Sequence, residues 1–157
     1  MRYRLALFIA TCFGLGTLNA FDDVAVDKLP KAITATLKKR FPKGEIVSAS
    51  KSGDQGKETY EVSVKEGSLK ADVNLSAVGS ITGMEKQISE KDLPNEVSAA
   101  VKAKYPKGTI KLCEEVISVK DGKETLDYFE VTVEIGDKKS VELEIETNGK
   151  IKKENTK

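Results

Sequence analysis

The side chains with most chemical potential in this chain are carboxylates set two residues apart. Glu130 and Glu134 bracket Thr132, Tyr128 stands just before them, and Glu142, Glu144 and Glu146 follow in one run. Alternate residues of a strand point to one face, so Tyr128, Glu130, Thr132, Glu134, Glu142, Glu144 and Glu146 should share one side of a sheet as candidate partner-binding residues. Such a face can dock a basic patch on a protein, because complementary charge speeds encounter. It can hold calcium, which accepts carboxylate oxygens, although regular i, i+2 acids lack the loop geometry of an EF-hand. It can also be a solvated surface whose charges keep an open sheet soluble. The matching strands of the first half carry a mixed set, Glu61, Lys65, Lys70 and Asp72, so the charge asymmetry belongs to the second half.

Other chemistry is excluded by what the chain lacks. It has no histidine, which removes the commonest general base, the imidazole zinc ligand and every Ser-His or Cys-His pair. Its glycines fall singly between strands and never open a helix as a phosphate-binding loop does. No catalytic residue, metal ligand or cofactor-binding residue is assigned; the chain reads as a non-enzyme without a cofactor. Lysines are scattered among acids instead of clustering, so nucleic acid is not an expected partner.

The N-terminus points to export. Arg2 and Arg4 precede a short apolar run from Leu5 to Phe13, and Leu18, Asn19 and Ala20 end on a small residue. Residues 1–20 read as a signal peptide cut after Ala20. The run is shorter than the about 20 apolar residues that span a bilayer, so no membrane insertion is expected after cleavage, and the product should be periplasmic or secreted. Thr11 stands where lipidation at Cys12 wants a smaller residue, which disfavours a lipoprotein. Cleavage removes two arginines from the 26 basic residues and none of the 25 acids, leaving 24 − 25 = −1. It also leaves Cys113 as the one cysteine, unable to form an internal disulfide. Cys113 is a reactive thiol or a small, half-buried strand residue; Ala49, 64 positions earlier, favours the second reading.

The elements that position these groups are written twice. Leu29-Pro30, then Phe41-Pro42-Lys43-Gly44 and Ile46, recur as Leu93-Pro94, Tyr105-Pro106-Lys107-Gly108 and Ile110, always 64 residues apart. Ile33, Leu37 and Phe41, and again Val97, Val101 and Tyr105, make the apolar stripe of a three-turn helix. Pro30 and Pro94 suit its first turn, and Pro42 and Pro106 force its end. Alternation follows: Tyr60, Val62 and Val64, then Leu69, Ala71, Val73 and Leu75; and Phe129, Val131, Val133 and Ile135, then Val141, Leu143 and Ile145. Gly67, Gly79, Gly136 and Asn148-Gly149 supply turns, Ile81 and Ile151 begin short last strands, and residues 52–56 and 120–123 are expected as loops. Residues 87–92 read as a connection. Phe41, Tyr60, Tyr105 and Phe129 sit at core positions, whereas Tyr128 breaks the alternation and suits an exposed anchor.

The fold class is therefore α+β, a tandem repeat of two units, each an N-terminal helix packed on an antiparallel sheet of about four strands. The first unit covers residues 21–87 and the second 88–157. Each alone has a marginal core, so the two should pack together or share a sheet.

The doubled Leu-Pro, the helix ending in aromatic-Pro-Lys-Gly, the strands Tyr-Glu-Val-Ser-Val and Phe-Glu-Val-Thr-Val, and Asn148-Gly149-Lys150-Ile151 resemble the PepSY-like family, also described as β-lactamase-inhibitor-like. The resemblance spans essentially the whole chain beyond residue 20. It implies an exported non-enzymatic binding domain that takes a protein partner through its open sheet face or loops; in the inhibitor form of that reading the partner is a secreted or periplasmic hydrolase. A cell-envelope scaffold and a cation-responsive, calcium-binding envelope protein are the alternatives.

Overall fold

The computed structural model describes residues 21–53, 57–136 and 139–156. The expected signal peptide, with its cut after Ala20, lies outside the described residues, as does the tip of the loop expected over 52–56.

Two helices form where the stripes place them, α1 at Lys31–Arg40 and α2 at Asn95–Lys104. Pro30 and Pro94 stand one residue earlier than the first helical turn, as caps with extended backbone. The Pro30 carbonyl accepts from the Ile33 amide at 3.0 Å. The residue before each closing proline leaves helical geometry, Phe41 at φ −127° and Tyr105 at φ −126°, because a following proline ring crowds that conformation. Ile33, Leu37 and Phe41 are buried on α1, and Val97 and Val101 on α2, while Tyr105 is half-buried.

Nine strands follow one another in a single antiparallel sheet: β1 (Asp22–Asp23), β2 (Glu45–Ser52), β3 (Thr59–Glu66), β4 (Leu69–Ser76), β5 (Ile81–Ile88), β6 (Thr109–Lys120), β7 (Lys123–Glu134), β8 (Ser140–Ile145) and β9 (Ile151–Thr156). Spatial order equals chain order, so every connection joins neighbours. The repeat extends to irregularities: β2 bulges at Val47 and β6 at Lys111, again 64 residues apart.

Both helices lie on one face. Under α1 the alternating Val62, Val64, Ala71, Val73, Leu75 and Met84 close a first core; Val131, Val133, Val141, Leu143 and Ile145 close a second with α2. The cores meet over the pairing of β5 with β6, from Gly83 opposite Ser118 to Ile88 opposite Cys113. Ile117 of β6 packs against the first core, and Ile88 of β5 against the second. Gln87 and Ile88 are thus strand residues at the seam, not part of a connection. Residues 120–123 correct a second expectation. Lys120 pairs with Lys123 around a two-residue turn in which Asp121 (φ 53°) and Gly122 (φ 74°) are both left-handed, as a type I′ hairpin requires. Ile135 falls beyond β7 and is 39% exposed, so the apolar alternation ends at Val133.

Candidate functional site

The face opposite the helices carries the other half of each alternation. Across it run registered rows. Ser63, Asp72, Glu85, Val116 and Tyr128 form one, and Glu114, Glu130, Glu144 and Lys153 another. Thr132, Glu142 and Asn155 make a third beside them, while Glu61 lies opposite Ser50 and Asn74. Glu61, Asp72, Glu85, Glu114, Glu130 and Glu142 thereby gather into one acidic band from β3 to β8, straddling the seam.

This band is not the water-washed face expected from the alternation. Glu114, Thr132 and Glu142 are buried at 9, 8 and 8% exposure, and Ser50 is buried too. Neighbouring side chains on a twisted sheet cover one another's stems, and the acids then suffer both lost hydration and mutual repulsion. Burial pushes the Glu85 carboxyl up to about 7, helped by the charges of Glu114, Asp72, Glu61 and Glu142. Burial and then Asp72 lift Glu61 to about 7. Glu130 rises to about 9 through burial, a hydrogen bond with Glu142, and the charges of Glu142, Glu85 and Glu114. The Ser63 hydroxyl donates to Asp72.

The seven candidates from the strand pattern separate accordingly. Glu130, Thr132 and Glu142 fall inside the band. Glu134 is neutralised by Lys111 at 3.1 Å, and Glu144 by Lys153 at 3.2 Å. Glu146 lies just beyond β8, where the Asn148 side-chain amide donates to it at 3.4 Å. Tyr128 is half-buried, with the Lys152 ammonium 5.9 Å from its ring centre, so it is no freely exposed anchor. Pattern reading missed Glu85 and Glu114, which lie on the seam strands, and took Glu61 and Asp72 as part of a mixed surface. The repeat held a usable signal: Glu114 corresponds to Ser50, one residue past the small buried pair Cys113 and Ala49.

Cys113 is on the opposite face, 2% exposed, and burial followed by the charges of Glu90 and Glu114 pushes its thiol up to about 11. Among the described residues no group of three or more acids or cysteines is arranged to hold a metal ion, and no helix is long and apolar enough to cross a membrane.

The doubled helix-and-strand pattern thus builds one continuous sheet with both helices on a single face. The model of the family described as "Putative beta-lactamase-inhibitor-like, PepSY-like" matches residues 17–82 and 58–153, and the chain belongs to it. Solved structures share the fold at low sequence identity. A DUF2874 family protein from Bacteroides uniformis superposes with a TM-score of 0.62 at 16% identity, covering 81% of this chain and 88% of its own. A BLIP-like protein from Bacteroides fragilis gives 0.56 at 20% identity, covering 80% and 84%. A protein from Bacteroides eggerthii described as putative periplasmic gives 0.63 at 13%, covering 81% and 88%. No curated protein matches the chain in sequence.

Proposed function

We propose that this is an exported, non-enzymatic binding domain that docks a protein partner on the open face of its sheet. The carrying observation is the acidic band itself: six carboxylates concentrated from both units on the face that neither helix covers. A solvated face would spread its charges apart and pair them with lysines, as the chain does at Lys111 with Glu134 and Lys153 with Glu144, whereas Glu61, Asp72, Glu85 and Glu130 lie together without such a lysine. Export is supported by the pattern of residues 1–20 and by the periplasmic description of a protein with the same fold. The units 21–87 and 88–157 act in this reading as one body, since the band needs strands from both.

The family's inhibitor-like description favours a secreted or periplasmic hydrolase as the partner. Affinity capture from the native envelope and secreted fractions tests this, using the protein beside Gln87→Trp, which places a bulky ring on the open face, and Lys102→Trp on the exposed side of α2. A stoichiometric complex lost only in Gln87→Trp is the expected result. A fall in the captured hydrolase's activity on complex formation supports inhibition, and binding without it supports a scaffold. Equal capture by both variants would overturn the open-face reading.

A further inference from the structure

We infer that the acidic band receives a cationic segment of the partner protein, its lysine or arginine side chains lodging among Glu61, Asp72, Glu85 and Glu130 across the seam; this rests on the open face being the docking surface. The first support is charge complementarity. Among the described residues no lysine or arginine forms an ion pair with any of these four acids. The cations of this face stand at its borders: Lys65 and Lys70 on β3 and β4, Lys111 on β6, and Lys152 and Lys153 on β9.

The second support is a buried, unanswered polar atom. Thr132 is 8% exposed and the Thr132 hydroxyl has no hydrogen-bond partner, although it lies on the open face between Glu130 and Glu134 and opposite Glu142. A buried hydroxyl without a partner forfeits its hydration with nothing in return, a defect that native structures retain at few places. An incoming donor at the band would satisfy it.

Dimension selects a segment over a single ion. Strands lie about 4.8 Å apart, so the five spacings from β3 to β8 span about 24 Å. That is far beyond the 2.3–2.6 Å shell of one calcium ion, and about seven residues of extended chain would cross it. Binding should release protons, because a cation among these acids favours their charged form. Facing the band beside Glu61, Asp72, Glu85, Glu114, Glu130 and Glu142 are Glu134 and Glu144, ion-paired with Lys111 and Lys153, Tyr128 under Lys152, and Lys65 and Lys70 at the rim; acids outnumber cations there, so affinity rises with pH.

The test is calorimetric titration of the protein with an eight-residue alternating Lys-Ser peptide at low ionic strength, at pH 6, 7 and 8, in buffers of different ionisation heat. Expected are saturable binding, proton release, and an affinity that climbs by up to about tenfold per pH unit for each proton released. The double variant Glu85→Gln, Glu130→Gln should lose about tenfold or more at pH 8, whereas Glu96→Gln, exposed on α2 across the sheet, should bind unchanged. Absence of binding, equal binding of an alternating Glu-Ser peptide, equal loss in Glu96→Gln, or tighter saturation by calcium chloride alone would overturn the inference. Partner capture separates the two levels. A partner lost in Gln87→Trp yet indifferent to the double variant would leave docking intact and remove the cationic segment; one retained in Gln87→Trp would remove docking itself.

Discussion

At the scale of single residues, the open face combines side chains that a solvated surface would keep apart. Glu61, Glu85 and Glu130 sit above the usual carboxylate range, so between about pH 5 and 9 the folded protein binds more protons than the unfolded chain. Stability from these groups is complete below the unfolded carboxylate range and is lost as pH rises through about 7 and on to about 9. Thermal melts should therefore fall from pH 5 to pH 9, and Glu130→Gln should flatten that slope and stabilise the protein at pH 8 by about 1–2 kcal/mol, after discount for residual solvent screening. A slope rising with pH would contradict the assignment. Thr132→Val removes the unpartnered hydroxyl at nearly constant volume, and chemical denaturation should show it more stable by about 1 kcal/mol. Cys113, buried with its thiol raised, should resist a thiol reagent at neutral pH and react at once in denaturant.

At the scale of elements, each helix is held by the turn that follows its third strand. Gly79 (φ 81°) and Gly149 (φ 84°) run so close under the first turns of α1 and α2 that an added Cβ would meet the Ala32 carbonyl oxygen at 2.7 Å and that of Glu96 at 2.6 Å. The Thr36 hydroxyl seals the first contact by donating to the Gly79 carbonyl at 2.8 Å. Gly79→Ala and Gly149→Ala should each cost about 2–3 kcal/mol in denaturant unfolding, combining left-handed strain with backbone overlap. Gly67→Ala is the control: its φ is 64° but nothing lies within 4 Å, so strain alone acts and the loss should be about 1 kcal/mol. The far end of α2 is tied differently, by Lys104 and the Tyr105 hydroxyl meeting Glu154 on β9. That contact explains why Tyr105 remains half-buried where its counterpart Phe41 is in the core.

At the scale of the whole molecule, the pairing of β5 with β6 makes two units into one sheet. Lys86 and Glu115 form an ion pair at 3.0 Å across this seam on the helix face, and Ile117 reaches from the second unit into the first core. Neither unit can open without exposing a six-residue strand edge and part of the other's core, so unfolding should be one transition. Urea titrations followed by far-UV circular dichroism and by tyrosine fluorescence should coincide; two separated midpoints would show independent units. Arg40 of α1 also reaches Glu124 on β7 at 3.2 Å, a second tie between units, though at an exposed position where such pairs contribute little.

How much of this was legible depended on the range of the interactions involved. Helix limits, the alternation of Val62, Val73, Val131 and Leu143, and the turns at Gly67, Gly79 and Gly149 follow from local sterics and solvent transfer, which act within a few residues and are written twice 64 positions apart. Local pattern also put Glu130, Thr132 and Glu142 on one face. It could not show that Glu85 and Glu114 join them, because those acids become neighbours only when β5 pairs with β6, and strand pairing is a long-range choice. Nor could alternation reveal that Thr132 and Glu142 are buried: period two assigns a side, whereas burial depends on the side chains brought alongside by adjacent strands. Local patterning is enough to set the elements, their doubling and the face each residue takes. Long-range strand pairing is what joins the two units in one sheet and brings their acids into a single band, where desolvation and mutual repulsion change their chemistry.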